Sequence, residues 1–501
     1  MTTRTDLVAT EYERTTSMTN ADLPRTTPES QGVDSAAIEA FVRDVVERDL
    51  NLHSIMVLRH GNVVAEGWWG PYSAPQRHMM FSVSKSFTAA AIGIAEAEGR
   101  LSVDDEVLSF FPSYATDAVR ANVAGLQVKH LLAMATGHAV DTMGVMTALP
   151  DADWVKLFLE VPLVYPPGTH FLYNSGGSFL LAAIITARTG QSVLDYLGPR
   201  LFEPLGIEAP PWQDTRRGIN LGGSGLRLRT EDLAKLGQLY LQRGVWNGQR
   251  LLTEDWVDRA SSTHSDNSIA ETNPDSTQGY GYQFWRSRHN SYRADGAFGQ
   301  FSLILPELDL VIAITNGTTN AQAVLDAVWD RILPGIHAEA LPANPDANAR
   351  LAETLASLEV PSPSFLAADP ELAANIAGRV IELPANTLGV ASASVRFDDA
   401  AVHLTVTSRD GSSETVPAGR TEWLAGETRV WDKAELERAT TASKAGWVDE
   451  STLQVRQQCV DTPFTRVWTF VFGEGDAVSV SIGFEPEYWM AYNEILAARI
   501  H

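Results

Sequence analysis

Two side chains in the stretch Phe81-Ser82-Val83-Ser84-Lys85-Ser86-Phe87 have the types and spacing for nucleophilic catalysis. A serine hydroxyl is a poor nucleophile at neutral pH and needs a base beside it and a positive field for its developing alkoxide. Ser82 and Lys85 stand three apart where a helical pattern begins, with the apolar run 88–95 behind them, so both point from one face of the first turn. An amine desolvated enough to lose its proton can serve as the base. The helix N-terminus adds unpaired N–H groups and partial positive charge close to Ser82. Taken alone, S-x-x-K also describes a serine N-cap followed by a solvated lysine, so its meaning depends on its company.

Two further stretches supply that company. Turn-forming residues at 166–169 lead into Tyr173-Asn174-Ser175, and an amphipathic helix is predicted over 178–189. A tyrosine just before a helix N-terminus sits in a field that favours its phenolate, although a core tyrosine whose hydroxyl caps a loop fits the same position. The third stretch, Ala294-Asp295-Gly296-Ala297-Phe298-Gly299-Gln300, feeds a strand at 301–305, and glycines there suggest that something approaches the backbone closely, a substrate carbonyl being one candidate. Just before it, Tyr280-Gly281-Tyr282-Gln283-Phe284-Trp285 alternates like a strand; core packing explains it, and lining part of a pocket is the second reading. His130 and His138 are eight apart, which is not a ligand spacing, and no H-E-x-x-H occurs, so both are read as structural and no metal is expected. There is no G-x-S-x-G nucleophile elbow.

These residues need a scaffold, and the pattern supplies one. A helix is predicted over 36–46, a β-hairpin over 54–58 and 63–68, and a helix from Ser82 to about Gly99. Residues 103–161 read as helical and loop-rich. The loop Gly222-Gly223-Ser224-Gly225 precedes a helix over 231–241 with Thr230 as N-cap. Strands at 301–305 and 310–315 form an antiparallel hairpin in the sheet's core, closed by a helix over 321–332. The composition then shifts to Pro, Ala and Asn, a linker over 336–348, and after a short helix at 350–358 the character is all-β, with one hairpin crossing 473–475. The expected organisation is a flexible tail at 1–23, a first domain at 24–335, the linker, and a β-rich domain at 349–501.

The chain of 501 residues has length for two to four domains. A formal net charge of −24 argues against nucleic acid or an anionic membrane as partner. With Cys459 as the single cysteine there is no intrachain disulfide, and that thiol is expected to be buried and inert. Residues 1–23 lack the apolar core of a secretory signal and the longest apolar runs are too short to span a membrane, so a cytoplasmic protein is expected.

Ser82-Val83-Ser84-Lys85, Tyr173-Asn174-Ser175 and Ala294-Asp295-Gly296, in that order, resemble the S-x-x-K, Y-x-N and K-T-G motifs of the serine β-lactamase and penicillin-recognising superfamily. Within it, the chain is similar to the branch of class C β-lactamases, esterases, D-aminopeptidases and nylon-oligomer hydrolases, over roughly residues 24–335. The resemblance implies an α+β fold, an antiparallel sheet flanked by helices with a helical subdomain, here followed by an all-β C-terminal domain. It implies Ser82 as acylated nucleophile, Lys85 as its hydrogen-bonded partner, Tyr173 as general base, and the backbone N–H groups of Ser82 and Ala297 as oxyanion hole. Ser175, Asp295, Gly296, Tyr280 and Tyr282 are the candidate substrate-binding residues. Two departures stand out: Ser175 replaces the family's asparagine, and Ala294 and Asp295 replace its lysine and threonine. Loss of the carboxylate-binding lysine at Ala294, with an aspartate beside it, disfavours β-lactams, unless Arg293 compensates, and favours neutral esters and amides or substrates bearing an amine.

The expected function is therefore a serine hydrolase acting on a small ester through an acyl-enzyme. An amidase or aminopeptidase-like activity at the same site is the second reading, and a catalytically silent binding or scaffold protein of this fold the third. No cofactor is implied. For the C-terminal domain, partner binding, covering the active-site mouth and homodimer formation are all open.

Overall fold

The computed structural model describes residues 22–428, 439–486 and 493–501. Of the expected tail, residues 1–21 lie outside the described residues, and Leu23 is already buried in the core.

Helix α1 (Ser35–Glu47) starts where Asp34 accepts a hydrogen bond from Ala36 N at 2.9 Å, and it buries Ile38, Phe41, Val42 and Val45. Strands β1 (Leu52–Arg59) and β2 (Asn62–Trp68) form the expected hairpin, turned by His60 and Gly61, both at positive φ. They join four strands from the far end of the same domain: β3 (Trp285–Arg286), β4 (Tyr292–Gly296), β5 (Gln300–Leu305) and β6 (Leu310–Asn316). The order is β2-β1-β6-β5-β4-β3, antiparallel throughout, with Ile55 opposite Ile314 where the two ends of the domain meet.

Period-two alternation divides the sheet between two cores. Ile55, Val57, Leu303, Ile312 and Ile314 face α1 and helix α5 (Ala321–Ala327). Met56, Leu58, Ile304, Val311 and Ala313 face the other way, against helices α2 (Ser84–Ala97) and α4 (Thr230–Leu241), behind which lies α3 (Ser175–Thr189). This is the expected antiparallel sheet flanked by helices with a helical part alongside.

Several expected boundaries move, each for a local reason. Residues Phe81–Val83 form a 3-10 turn, so Ser82 precedes α2 instead of opening it. Helix α3 begins three residues early because Asn174, not a later residue, caps it. Thr230 is the first residue of α4, and its hydroxyl is taken by Ser54 Oγ at 2.7 Å, so it does not cap. Gln283 at positive φ breaks the alternation expected over 280–285, leaving Trp285–Arg286 as the strand there. The helix expected at 350–358 spans Pro345–Ala356 (α6) and packs with Leu351 and Leu355 on the α1 side of the sheet, so by packing it belongs to the first domain and not to the β-rich one.

The β-rich part is a barrel. In chain order its strands are β7 (Val380–Glu382), β8 (Val390–Phe397), β9 (Ala401–Ser408), β10 (Ser413–Gly419), β11 (Leu424–Thr428), β12 (Ala439–Trp447), β13 (Thr452–Cys459), β14 (Thr465–Phe472), β15 (Ala477–Glu485) and β16 (Glu494–Ile500). The sheet runs β10-β9-β8-β7-β16-β15-β14-β13-β12-β11, and a parallel bridge between Gly419 of β10 and Lys444 of β12 closes a ring of nine, with β11 outside it. Trp447, Leu453, Val455, Trp468 and Phe470 fill its interior. Closure removes the unpaired edges that an open sheet of this size would expose.

Candidate active site

Ser82, Lys85 and Tyr173 meet at one point. Lys85, on the first turn of α2, is 1% exposed, and its Nζ donates to Ser82 Oγ at 2.9 Å and to the carbonyl of Gly223 at 2.8 Å. The glycine loop makes that second contact feasible: a Cβ at Gly223 would stand 3.3 Å from Lys85 Nζ, and one at Gly222 would meet the Ser178 carbonyl at 2.6 Å. Burial pushes the Lys85 ammonium down to about 7, against the opposing charges of Asp141 and Asp295. A substantial share of this amine is therefore neutral at physiological pH and able to take the Ser82 proton.

Tyr173 arrives from the other side, its hydroxyl turned to Ser82, with Lys85 Nζ 5.0 Å from its ring centroid. Its ring stacks on Trp285 (centroids 5.4 Å apart) and meets Tyr280 edge-on, in a cluster with Met134 and Phe171 that fixes its orientation. The expected phenolate-favouring field does not prevail. Burial raises the Tyr173 phenol above its ordinary value, and the charges of Asp295, Asp141 and Glu271 raise it further, outweighing the opposing influence of the Ser82 hydroxyl. Tyr173 is thus held in its protonated form at neutral pH, which leaves Lys85 as the candidate base.

Backbone packing sets the third component. Gly296 ends β4, and a Cβ there would lie 2.3 Å from the Met80 carbonyl, so β4 runs against the backbone that carries Ser82. This brings Ala297 beside the Ser82 turn, where the Ser82 N–H lies in a first turn whose amides have no partner within the helix. Two such donors suit the oxyanion of a tetrahedral intermediate. Phe81, immediately before Ser82, has φ +46°, a strained value for a bulky residue.

Asp295 and Tyr280 lie at this centre with Gly296; Ser175 opens α3 with its carbonyl against the Gly223 position. Tyr282 does not: it stacks on His264 and tilts against Trp256 in the helical core. Arg293 does not offer a free cation beside Asp295. Its Nε donates to Asp295 Oδ2 at 2.7 Å, and its remaining donors hold the Asp275 carbonyl, Ser287 and Ser276. Asn174, passed over by motif reading, is buried and accepts from Thr142 N, Thr142 Oγ1 and Gly176 N, tying the 136–142 loop to α3. Asp141, Glu271 and Gly223 carried no motif; only the glycine run at 222–225 hinted at a close approach. Among the described residues no group of His, Cys, Asp and Glu could hold a metal ion, and no helix is long and apolar enough to cross a membrane.

Known proteins are similar to this chain. A D-aminopeptidase from Brucella anthropi is 31% identical over 189 residues, 35% of each chain, so the match spans about a third of that relative's length. A 6-aminohexanoate-dimer hydrolase from Paenarthrobacter ureafaciens is 25% identical over 279 residues, 52% of this chain and 71% of that one. Among solved structures, a candidate 6-aminohexanoate-dimer hydrolase from Bacillus anthracis superposes with a TM-score of 0.51 at 19% identity, over 62% of this chain and 85% of that one, a likeness of fold. The family model for beta-lactamase matches residues 38–333, the sheet and helices that carry Ser82, Lys85 and Tyr173, and the chain belongs to the beta-lactamase family of hydrolases.

Proposed function

We infer that the protein is a serine hydrolase that cleaves small esters through a covalent acyl-enzyme on Ser82. The observation that carries this reading is one hydroxyl held between a buried lysine of lowered proton affinity and a buried tyrosine of raised proton affinity. Neutral Lys85 takes the Ser82 proton as Oγ adds to the carbonyl carbon, and the Ser82 and Ala297 amides receive the oxyanion. As the carbonyl reforms, the bond to the leaving group breaks, and Tyr173 protonates that group. The Lys85 ammonium returns a proton to Tyr173. Water then repeats the sequence on the acyl-enzyme and releases the acid.

A second reading, cleavage of amides, has its own support. A leaving amine must be protonated as it departs, and Tyr173 is held in the form that can do so. Two of the relatives are named for amide-cleaving activities. In both readings Asp295, Asp141 and Glu271 disfavour substrates carrying a carboxylate, β-lactams among them.

The test is mass spectrometry of the intact protein after a fluorophosphonate serine reagent, with p-nitrophenyl esters and p-nitroanilides assayed in parallel. Labelling and turnover are expected in wild type and absent in Ser82→Ala. Tyr173→Phe should slow anilides more than esters. An active Ser82→Ala protein would overturn the assignment.

A further inference from the structure

The turn between β13 and β14 of the barrel reaches the nucleophile. Phe464 on that turn lies edge-on to Phe81, centroids 6.4 Å apart, and edge-on to Phe298 at 5.3 Å, while Phe81 and Phe298 are 5.3 Å from each other. Phe81 adjoins Ser82, and Phe298 adjoins Ala297, so this triangle of rings borders both proposed oxyanion donors. Phe81 and Phe464 remain half-exposed.

The turn is held in place. Asp461 O accepts from Met79 N at 2.8 Å, three residues before Ser82. Tyr72 OH donates to the Thr462 carbonyl at 2.7 Å and itself accepts from Gln458 Nε2 at 2.6 Å. Within the turn, Cys459 N donates to Phe464 O and Phe464 N to Thr462 Oγ1. Met79, on the strand leading into Ser82, and Tyr72, just before that strand, thus anchor the turn against the first domain.

We propose that the C-terminal barrel completes the substrate pocket, with Phe464, Phe81 and Phe298 forming a subsite for an aromatic or bulky apolar group on the acyl side of the substrate. The proposal rests on Ser82 being the nucleophile. The acyl side follows from Tyr173: the leaving group must lie at its hydroxyl, and Tyr173 packs in a separate cluster with Met134, Phe171, Tyr280 and Trp285. Phe464 is then a specificity-determining residue supplied by a different domain from the nucleophile.

The test compares full-length wild type, Phe464→Ala and Phe464→Leu on p-nitrophenyl acetate and p-nitrophenyl 4-phenylbutyrate, which share a leaving group. Phe464→Ala should lower kcat/KM for the phenylbutyrate at least about tenfold, mainly through KM, and change acetate less than about threefold, with Phe464→Leu intermediate. Binding of neutral 4-phenylbutyramide, followed by saturation-transfer NMR, should weaken in parallel and needs no turnover. If wild type binds the amide through Phe464 yet neither labels nor turns over, the nucleophile assignment fails while the subsite stands. If both esters slow equally, or neither ester nor amide responds to Phe464→Ala, the subsite is refuted.

Discussion

The Lys85 amine makes the pH dependence of acylation the sharpest test of the mechanism. Burial carries it from an ordinary 10.5 down to about 7. If its neutral form is the base, kcat/KM should track the unprotonated fraction, roughly a tenth of the plateau at pH 6, half at pH 7 and nine-tenths at pH 8. A Tyr173 phenolate acting as base would instead place the rise beyond pH 10, because burial and three carboxylates raise that phenol. The perturbation is Asp141→Asn. Asp141 favours the ammonium, so removing its charge should move the inflection to lower pH, and the activity at pH 6 should rise relative to the plateau. The amide oxygen can still accept from Met143 N, now at 2.9 Å, so the loop should hold. The assay is kcat/KM for p-nitrophenyl acetate between pH 6 and 8.5, corrected with Ser82→Ala, alongside the rate of fluorophosphonate labelling, which has a different leaving group. A profile flat across pH 6–8, or an inflection that ignores Asp141→Asn, would refute Lys85 as the base.

Three other outcomes follow from the same geometry. Lys85→Met should abolish activity yet stabilise the fold at pH 7: lowering the amine from 10.5 to about 7 costs about 5 kcal/mol below pH 7, offset in part by its two hydrogen bonds, for a net gain of about 1–2 kcal/mol by chemical denaturation. The unfolded chain binds the extra proton between pH 7 and 10.5, so wild-type stability recovers over that window and the advantage of the Lys85→Met variant should fade towards pH 10. Asn174→Ala removes a helix cap and leaves the buried Thr142 amide and hydroxyl unpaired, which should cost about 3 kcal/mol in the same assay. Gly296→Ala forces a Cβ to 2.3 Å from the Met80 carbonyl and should lower kcat about a hundredfold by displacing the nucleophile turn from Ala297, while the circular dichroism spectrum is kept.

Sequence reading reached as far as local patterns carry. Near-continuous apolar runs at 54–58 and 310–315, bounded by turns, located the central strands because each residue there must face one of two cores, and the helix over 36–46 was visible because α1 buries one stripe. That Ser82 and Lys85 meet was legible because side chains three apart at the start of a helix share a face. Tyr282 was misplaced for the converse reason: strict alternation puts it on one face with Tyr280, but a single left-handed residue, Gln283, bends the chain and sends it towards Trp256. The field at Tyr173 was judged from a helix terminus next to it in sequence, whereas its proton affinity is set by burial and by Asp295, Asp141 and Glu271, which come from distant segments.

The same limit explains the barrel. Phe464 lies far along the chain from Phe81, and an isolated phenylalanine in a β-hairpin turn has no signature that distinguishes it from packing. What marks it is the coincidence of strain and support at the other end of the contact. Phe81 holds an unfavourable φ next to Ser82, and such a conformation persists only where its surroundings over-determine it. Ser84 Oγ fixes the Phe81 carbonyl from inside the first domain at 2.6 Å, and the barrel turn grips the Phe81 ring and the Met79 amide from outside. With Ser82 as the proposed acyl acceptor, aimed by one domain and braced by the other, substitutions at the seam between them should alter which acyl groups react before they alter whether the protein folds.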